Sequence, residues 1–389
     1  MKSFINFLYE EINTKVGGIA HLEHPSDRTF DGKDSAEHAV NTLRGAISGK
    51  TPITRKIDDK MSFQTIRDEN GRVGVKYKGV GSHYNFTPQD VDAQHGHKPY
   101  LAEPLKAVLA HVGKVLPKRS GEWQGGFLST PEQRTISGGK ISHSPNTIEY
   151  SVPTSSEEGK KLKNSKVSMA IHTELKGAER TPTPVTDASD FRHHPDAHLM
   201  NHVVTDQERN NADPIKMQTA SSHLDQAEKL MKNHTYAHLA GHEKHLRTYI
   251  NSTIRNNETP STEGYIKHLH EKHQKEIDKV KTPKAKDQKT EQRDSDISHV
   301  TNNKKAFDKT FAIHHHIQSA TNSLADALST SAHGGYEHKF ASTGESTNPE
   351  GFVAAGHDGN LLKIVNRKEF SAANFSRSAQ LKAPKPESN

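Results

Sequence analysis

Residues 53–78 read ITRKIDDKMSFQTIRDENGRVGVKYK, in which two β-like runs, Met61 to Arg67 and Val73 to Lys78, flank the tetrapeptide Asp68-Glu69-Asn70-Gly71. Alternating apolar and polar residues on either side of an Asn-Gly step predict a β-hairpin. Lys56-Ile57-Asp58 stands immediately before it. Trp123 to Leu128, Thr147 to Val152 and Lys166 to Leu175 cluster β-branched and aromatic residues and predict further strands, with a helix near Leu101 to Val112 between them. After Gly344 the same texture returns: Gly351-Phe-Val-Ala-Ala, a Gly356-His-Asp-Gly359 turn and Leu361 to Val365 predict a second hairpin.

Helical spacing fills most of what remains. Residues 34–48, DSAEHAVNTLRGAIS, begin with residues able to cap a helix and place Ala36, Ala39, Val40, Leu43 and Ile47 on one face. Leu224, Ala227, Leu230, Met231, Ala237, Leu246, Tyr249, Ile250 and Ile254 keep helical spacing, and further helices are predicted near Gly264 to Val280 and Lys305 to Ser329. Residues 281–303, KTPKAKDQKTEQRDSDISHVTNN, carry almost no core residues and read as a solvated linker. The simplest architecture is α+β. Residues 1–175 begin a sheet-rich domain, 176–345 form a His-rich helical insertion, and 346–389 return strands to the same domain.

Composition sets the limits. The 389 residues are 31% hydrophobic and contain no Cys, which excludes disulfides, thiolate metal sites and cysteine nucleophiles. No run approaches the roughly 18 apolar residues of a membrane span, and the start MKSFINFLYEEI lacks the pattern of a secretory leader, so a cytoplasmic, membrane-free protein is expected. Fifty-three basic against 47 acidic residues leave +6, which favours an anionic partner. Residues 176–345 hold 23 of each sign and 18 of the 28 histidines, so the surplus lies in the flanks. His238 and His242 have the i,i+4 spacing of a metal pair, but H-E-x-x-H is absent, and these histidines read as a solvated helical face. Trp123 reads as a core residue.

The order Lys56-Ile57-Asp58, Gly121-Glu122, Glu350-Gly351-Phe352-Val353 and Leu362-Lys363-Ile364-Val365 resembles the covalent nucleotidyltransferases: ATP-dependent DNA ligases, RNA ligases and mRNA capping enzymes. Their segments run K-x-D-G, a Gly-Glu strand, E-G-hydrophobic-V and hydrophobic-K-hydrophobic. The strings LEHPSDRTFDG, PNTIEYSVP, KVSMAIHT and LKIVNRKEFSAANF also look like an uncharacterised group of phage-encoded proteins related to those ligases. The resemblance covers about residues 19–175 and 346–377 and leaves out the helical middle.

The resemblance implies a ligase-type nucleotidyltransferase fold with ATP-grasp-like antiparallel sheets and flanking helices. It implies that Lys56 attacks the α-phosphorus of ATP and forms a lysyl-AMP intermediate. Asp58 and Glu350 would bind Mg²⁺, Lys363 would contact the α-phosphate, Glu122 would hold the ribose, and Lys76 and Lys78 would work at the substrate end. Two departures accompany it: Asp59 replaces the Gly of K-x-D-G, and in one register Gly126 stands where an acid is expected. Arg367 is a candidate for the second cation of the last strand, whose own position holds Val365. The 26 residues after Lys363 are too few for the OB-fold that closes over nucleic acid in ordinary ligases. The expected function is RNA or DNA end joining or repair, RNA slightly preferred, in the host cytoplasm if phage-encoded. The alternatives are a catalytically degenerate nucleotide-binding module and a phage structural protein.

Overall fold

The computed structural model describes residues 22–78, 81, 83–356 and 361–367. The expected hairpin forms between β2 (Met61–Arg67) and β3 (Val73–Tyr77), with Phe63 opposite Tyr77 and Arg67 opposite Val73. Its turn is closed by the Asp68 carboxylate, which accepts from the backbone N–H of Asn70 at 3.0 Å and of Arg72 at 2.8 Å, while Gly71 takes φ of 78°.

The remaining strands are β1 (Ile53–Arg55), β4 (Gly121–Ser129), β5 (Arg134–Ser137), β6 (Lys140–His143), β7 (Ile148–Pro153), β8 (Val167–Lys176), β9 (Thr181–Pro184), β10 (Ala197–Leu199), β11 (Glu337–Phe340), β12 (Phe352–Ala355) and β13 (Leu361–Ile364). They make an α+β protein with three sheets among the described residues. One runs β10-β8-β4-β2-β3 with β9 beside β8, one β1-β12-β13, and one β11-β7-β6-β5. The β8/β10 pair is parallel. The turn expected at Gly356 to Gly359 lies largely outside the described residues.

The largest sheet is apolar on one face only. Met61, Phe63, Val75, Trp123, Phe127, Met169 and Ile171 are buried there with Leu101, Leu105, Val108 and Val112 of the helix Pro99–Val112. Trp123 is core, as expected. The opposite face carries Gln64, Lys76, Gln124 and Thr173, which are cross-strand neighbours by register.

The chain divides differently from the composition. The described parts of 1–22, 49–213 and 328–363 form one compact unit, and those of 23–48, 214–327 and 364–389 form another. Residues 176–213 belong with the strands because β9 and β10 both pair with β8. The helix Lys33–Ser48 belongs with the helices: it packs on Pro214–Met231, and Arg44 binds Glu228 at 2.8 Å and Asp225 at 2.5 Å.

The expected linker 281–303 is instead the helix Pro283–Asn302. Thr282 caps it, and polar pairs rather than an apolar stripe hold it to the helix Thr262–Ile277: His273 with Asp296 at 2.9 Å, Lys289 with Glu276 at 2.8 Å. Val300 is its buried apolar residue, which explains why periodicity missed it. The helix expected across 221–254 is broken by a 3₁₀ turn at Ala237–Leu239 and by Gly241 at φ of 81°.

Five of the histidines are not on a solvated face. His234, His238, His242, His273 and His314 are all buried within the helical unit. His234 and His238 each lie 2.9 Å from the Thr310 hydroxyl oxygen, and that hydroxyl donates its proton to the Ala306 carbonyl, so both rings meet it as N–H donors. Burial brings both down to about 4, aided at His234 by repulsion from His238 and at His238 by repulsion from His299 and His242. A histidine held below its unfolded value of about 6.5 stabilises fully above that pH and loses its contribution as pH falls towards 4. Between pH 7.5 and 5 the pair should remove about 4 kcal/mol, read as a fall in the urea midpoint by circular dichroism. Substituting His234 and His238 by glutamine should flatten that slope; an unchanged slope would show that other groups set it.

Candidate functional site

Strand pairing brings Lys56 to Glu350 although 294 positions separate them. β1 and β12 are antiparallel with Arg55 opposite Phe352, and one step further the Lys56 N–H donates to the Gly351 carbonyl at 2.8 Å. The Lys56 ammonium and the Glu350 carboxylate are in direct contact. Burial disfavours the ammonium, but Glu350, Asp58 and Asp59 together outweigh it and raise the Lys56 pKa above its ordinary value. Burial and the neighbouring aspartates push Glu350 up as well, against the pull of Lys56. The second Glu350 oxygen, Oε2, is buried with no partner.

Lys56, Asp58 and Asp59 line a cavity of about 220 Å³, and Glu350 is not among its lining residues. Val353 and Leu361 supply an apolar wall from the three-stranded sheet; Ser62, Gln124, Ala170, His172 and Thr173 supply a largely polar wall from the larger one. Lys56, Asp58, Asp59 and Lys78 bring charge to the lining. Lys363 stands two positions beyond Leu361 and therefore on the same face of β13. Burial and the cations Lys78 and Lys56 lower His172 to about 3, so this ring is neutral.

Asp58 does something other than expected. Its Oδ1 accepts from Asn146 Nδ2 at 2.9 Å, and its Oδ2 accepts from the Thr147 N–H at 2.6 Å and the Thr147 hydroxyl at 2.8 Å. Its own N–H donates to the Tyr150 hydroxyl at 2.8 Å. Asp58 thus ties the Lys56 loop to the start of β7, and its carboxylate has little capacity left for the metal role the resemblance gave it. Among the described residues no three His, Asp or Glu side chains are grouped to hold a metal ion. Mg²⁺ needs only one or two carboxylates when substrate phosphates complete its shell; Asp59 lies on the cavity wall, while the unpartnered Glu350 Oε2 belongs to a residue outside the lining.

Lys76 and Glu122, like Glu350 and Lys363, lie outside this lining. Glu122 Oε2 accepts from the Tyr84 hydroxyl at 2.8 Å and from Arg180 at 2.6 Å, and Lys76 sits over the Tyr84 ring at 4.8 Å. This cluster shares the polar face of the sheet, with Gln64 accepting from Arg180 at 3.2 Å. Glu122 is therefore engaged by protein groups beside the cavity rather than placed in it. Arg367 is buried in the helical unit against Asp27 and supplies no cation to the last strand's site.

The two departures account for one another. A Cβ on Gly126 would lie 2.4 Å from Asp59 Cβ and 2.6 Å from its Oδ2, so the Asp59 side chain fills the space above Gly126. Ser62 donates to Asp59 Oδ2 at 2.7 Å and holds it there. Gly126→Ala should cost about 1–3 kcal/mol in urea unfolding, and the cost should largely vanish in an Asp59→Gly background. Additive losses would mean that some other neighbour requires the glycine. Gln124, Thr173 and His172 also line the cavity without having stood out in the sequence, because their convergence depends on strand register alone.

Comparison with known families matches residues 19–379 to a model described as a family of unknown function, DUF6267. No curated protein and no solved structure matches the chain.

Proposed function

The chain belongs to the family of unknown function DUF6267, and we propose that it is an ATP-dependent, polynucleotide-ligase-like nucleotidyltransferase on a ligase-type fold, related to the phage-encoded group it resembles. The observation that carries this reading is the contact of Glu350 with Lys56, which lines a cavity together with Asp58, Asp59 and Lys78, with Lys363 on the face of a bordering strand. A flat base suits Val353 and Leu361, and the cations suit phosphates.

In this reading Lys56 first loses its proton to solvent, and its neutral amine forms an N–P bond to the α-phosphorus as the bond to pyrophosphate breaks. AMP then passes from Lys56 to a nucleic-acid 5′-phosphate, RNA slightly preferred over DNA. Glu350 and Asp59 would hold Mg²⁺, which neutralises phosphate charge. Lys78 and Lys363 add fixed positive charge, while Asp58 orients the loop. A cytoplasmic site is consistent with this chemistry, and no described helix is long and apolar enough to cross a membrane.

The rival reading, a nucleotide-binding module without catalysis, draws on Asp58 being spent on residues 146–148 and on Lys56 being held as a cation. Incubation with α-³²P-ATP and Mg²⁺, with GTP in parallel, separates the two. Acid-labile label on the protein is expected with ATP. Folded protein of unmodified intact mass that takes no label from either nucleotide would leave the binding module.

A further inference from the structure

One residue of the cavity is built in a way that folding alone does not explain. Gln124, in the middle of β4, is 2% exposed and lines the cavity, yet its Oε1 has no hydrogen-bond partner. Its cross-strand neighbours are Gln64 on one side and Thr173 on the other. Gln64 Oε1 is used by Arg180, and the Thr173 hydroxyl is used by His172 Nδ1 at 2.8 Å. Neither neighbour satisfies Gln124. A buried carboxamide oxygen left without a donor is a standing cost to the folded state, and an apolar side chain of the same size would remove it. The opposite face of the same strand shows the alternative, since Trp123 and Phe127 are buried there in the apolar core.

We propose that Gln124 is the residue through which this cavity selects its ligand, accepting a hydrogen bond from a neutral hydroxyl or amino group. The neighbouring lysines Lys56 and Lys78 attract the anionic part of a ligand through charge, which discriminates poorly among anions. A buried neutral acceptor discriminates sharply, because a ligand lacking the matching donor leaves the oxygen orphaned in the complex. On a nucleotide, that donor is a sugar hydroxyl or an exocyclic base amine. The choice of nucleotides as probes rests on the nucleotidyltransferase reading; the unpartnered oxygen does not.

The test uses the full chain and AMP, which cannot label Lys56. Calorimetric titration compares AMP, 2′-deoxy-AMP, 3′-deoxy-AMP and IMP on wild type and on Gln124→Met, with the thermal midpoint of each ligand-free protein measured in parallel. Wild type should bind one donor-deleted analogue about tenfold more weakly than AMP, and Gln124→Met should bind AMP as weakly as wild type binds that analogue. A deficit with a deoxy analogue assigns the donor to the sugar, and one with IMP assigns it to the base. Ligand-free Gln124→Met should melt about 2–4 °C higher than wild type. Equal affinity for all four compounds on both proteins would overturn the proposal. If wild type binds none of them, the nucleotide reading falls and the melting temperature decides for Gln124: a rise keeps it as a ligand-selecting residue, and a fall makes it a structural member of the sheet and ends the proposal.

Discussion

Replacing Lys56 by alanine or by arginine is expected to abolish acid-labile labelling from α-³²P-ATP, a loss of at least about a thousandfold set by the detection limit. The arginine variant is the more informative. It keeps a cation beside Glu350 and so preserves the buried pairing, but a guanidinium cannot become a neutral nucleophile near physiological pH. Lost labelling with an unchanged melting temperature in Lys56→Arg would place the chemistry on this side chain rather than on the fold.

The same electrostatics dictate the pH profile. Because three carboxylates raise the Lys56 pKa, fewer than about one amine in a thousand is neutral at pH 7.5 in the free protein. Initial labelling rates should rise about tenfold per pH unit from 7 to 9. Glu350→Gln removes the contacting carboxylate, lowers the Lys56 pKa and should move that rise to lower pH, with a smaller maximum because Mg²⁺ loses a ligand. Label that persists on Lys56→Arg, or a profile that Glu350→Gln leaves in place, would remove Lys56 from the proposed role.

Local periodicity was enough to read the hairpin of β2 and β3, the strands β4, β7 and β8, and the helix Pro99–Val112. The helix Pro283–Asn302 was hidden because its attachment is electrostatic, and a stripe of charges looks the same on a docked helix as on a loose one. The buried histidines were hidden for a related reason. A neutral imidazole packs on Phe307 and Tyr265 as an aromatic would, and the sequence shows a titratable residue without showing that it is kept neutral.

At the site, residue types were legible and connections were not. Asn146, Thr147 and Tyr150 all belong to one string, PNTIEYSVP, and all reach Asp58, but nothing in their spacing announces a partner 88–92 residues away. Asp59 and Gly126 read as two separate defects until the sheet register superposed them. Side chains that depend on cross-strand neighbours, Gln124 above all, carry no signal along the chain.

Asp27→Asn should destabilise the helical unit by about 3–5 kcal/mol, the cost of leaving a buried charge without its counter-ion. Asp27 lies in the 3₁₀ helix Pro25–Asp31, is 6% exposed, and its Oδ1 accepts from Arg367 Nη1 at 2.7 Å, with His314 Nε2 at 3.4 Å. Arg367 is equally buried, and its other nitrogen donates to the Asn251 side chain at 2.8 Å. Burial alone would raise the Asp27 pKa, but Arg367, His314 and His24 reverse that and hold it far below the usual carboxylate range. Asparagine keeps the shape and one acceptor oxygen but removes the charge, so Arg367 stays desolvated beside a neutral group. The pH sign follows: a carboxylate depressed in the folded state contributes fully above its unfolded value of about 3.9 and loses that contribution as pH falls below it. Urea unfolding followed by circular dichroism should therefore show the full gap between wild type and Asp27→Asn at pH 7, with the gap narrowing as pH drops below about 4. Replacing the pair together, Asp27→Asn with Arg367→Met, should recover much of the loss, because no unpaired charge then remains. A double variant as unstable as the single would mean that the carboxylate is needed for His314 and the adjoining helix rather than for Arg367.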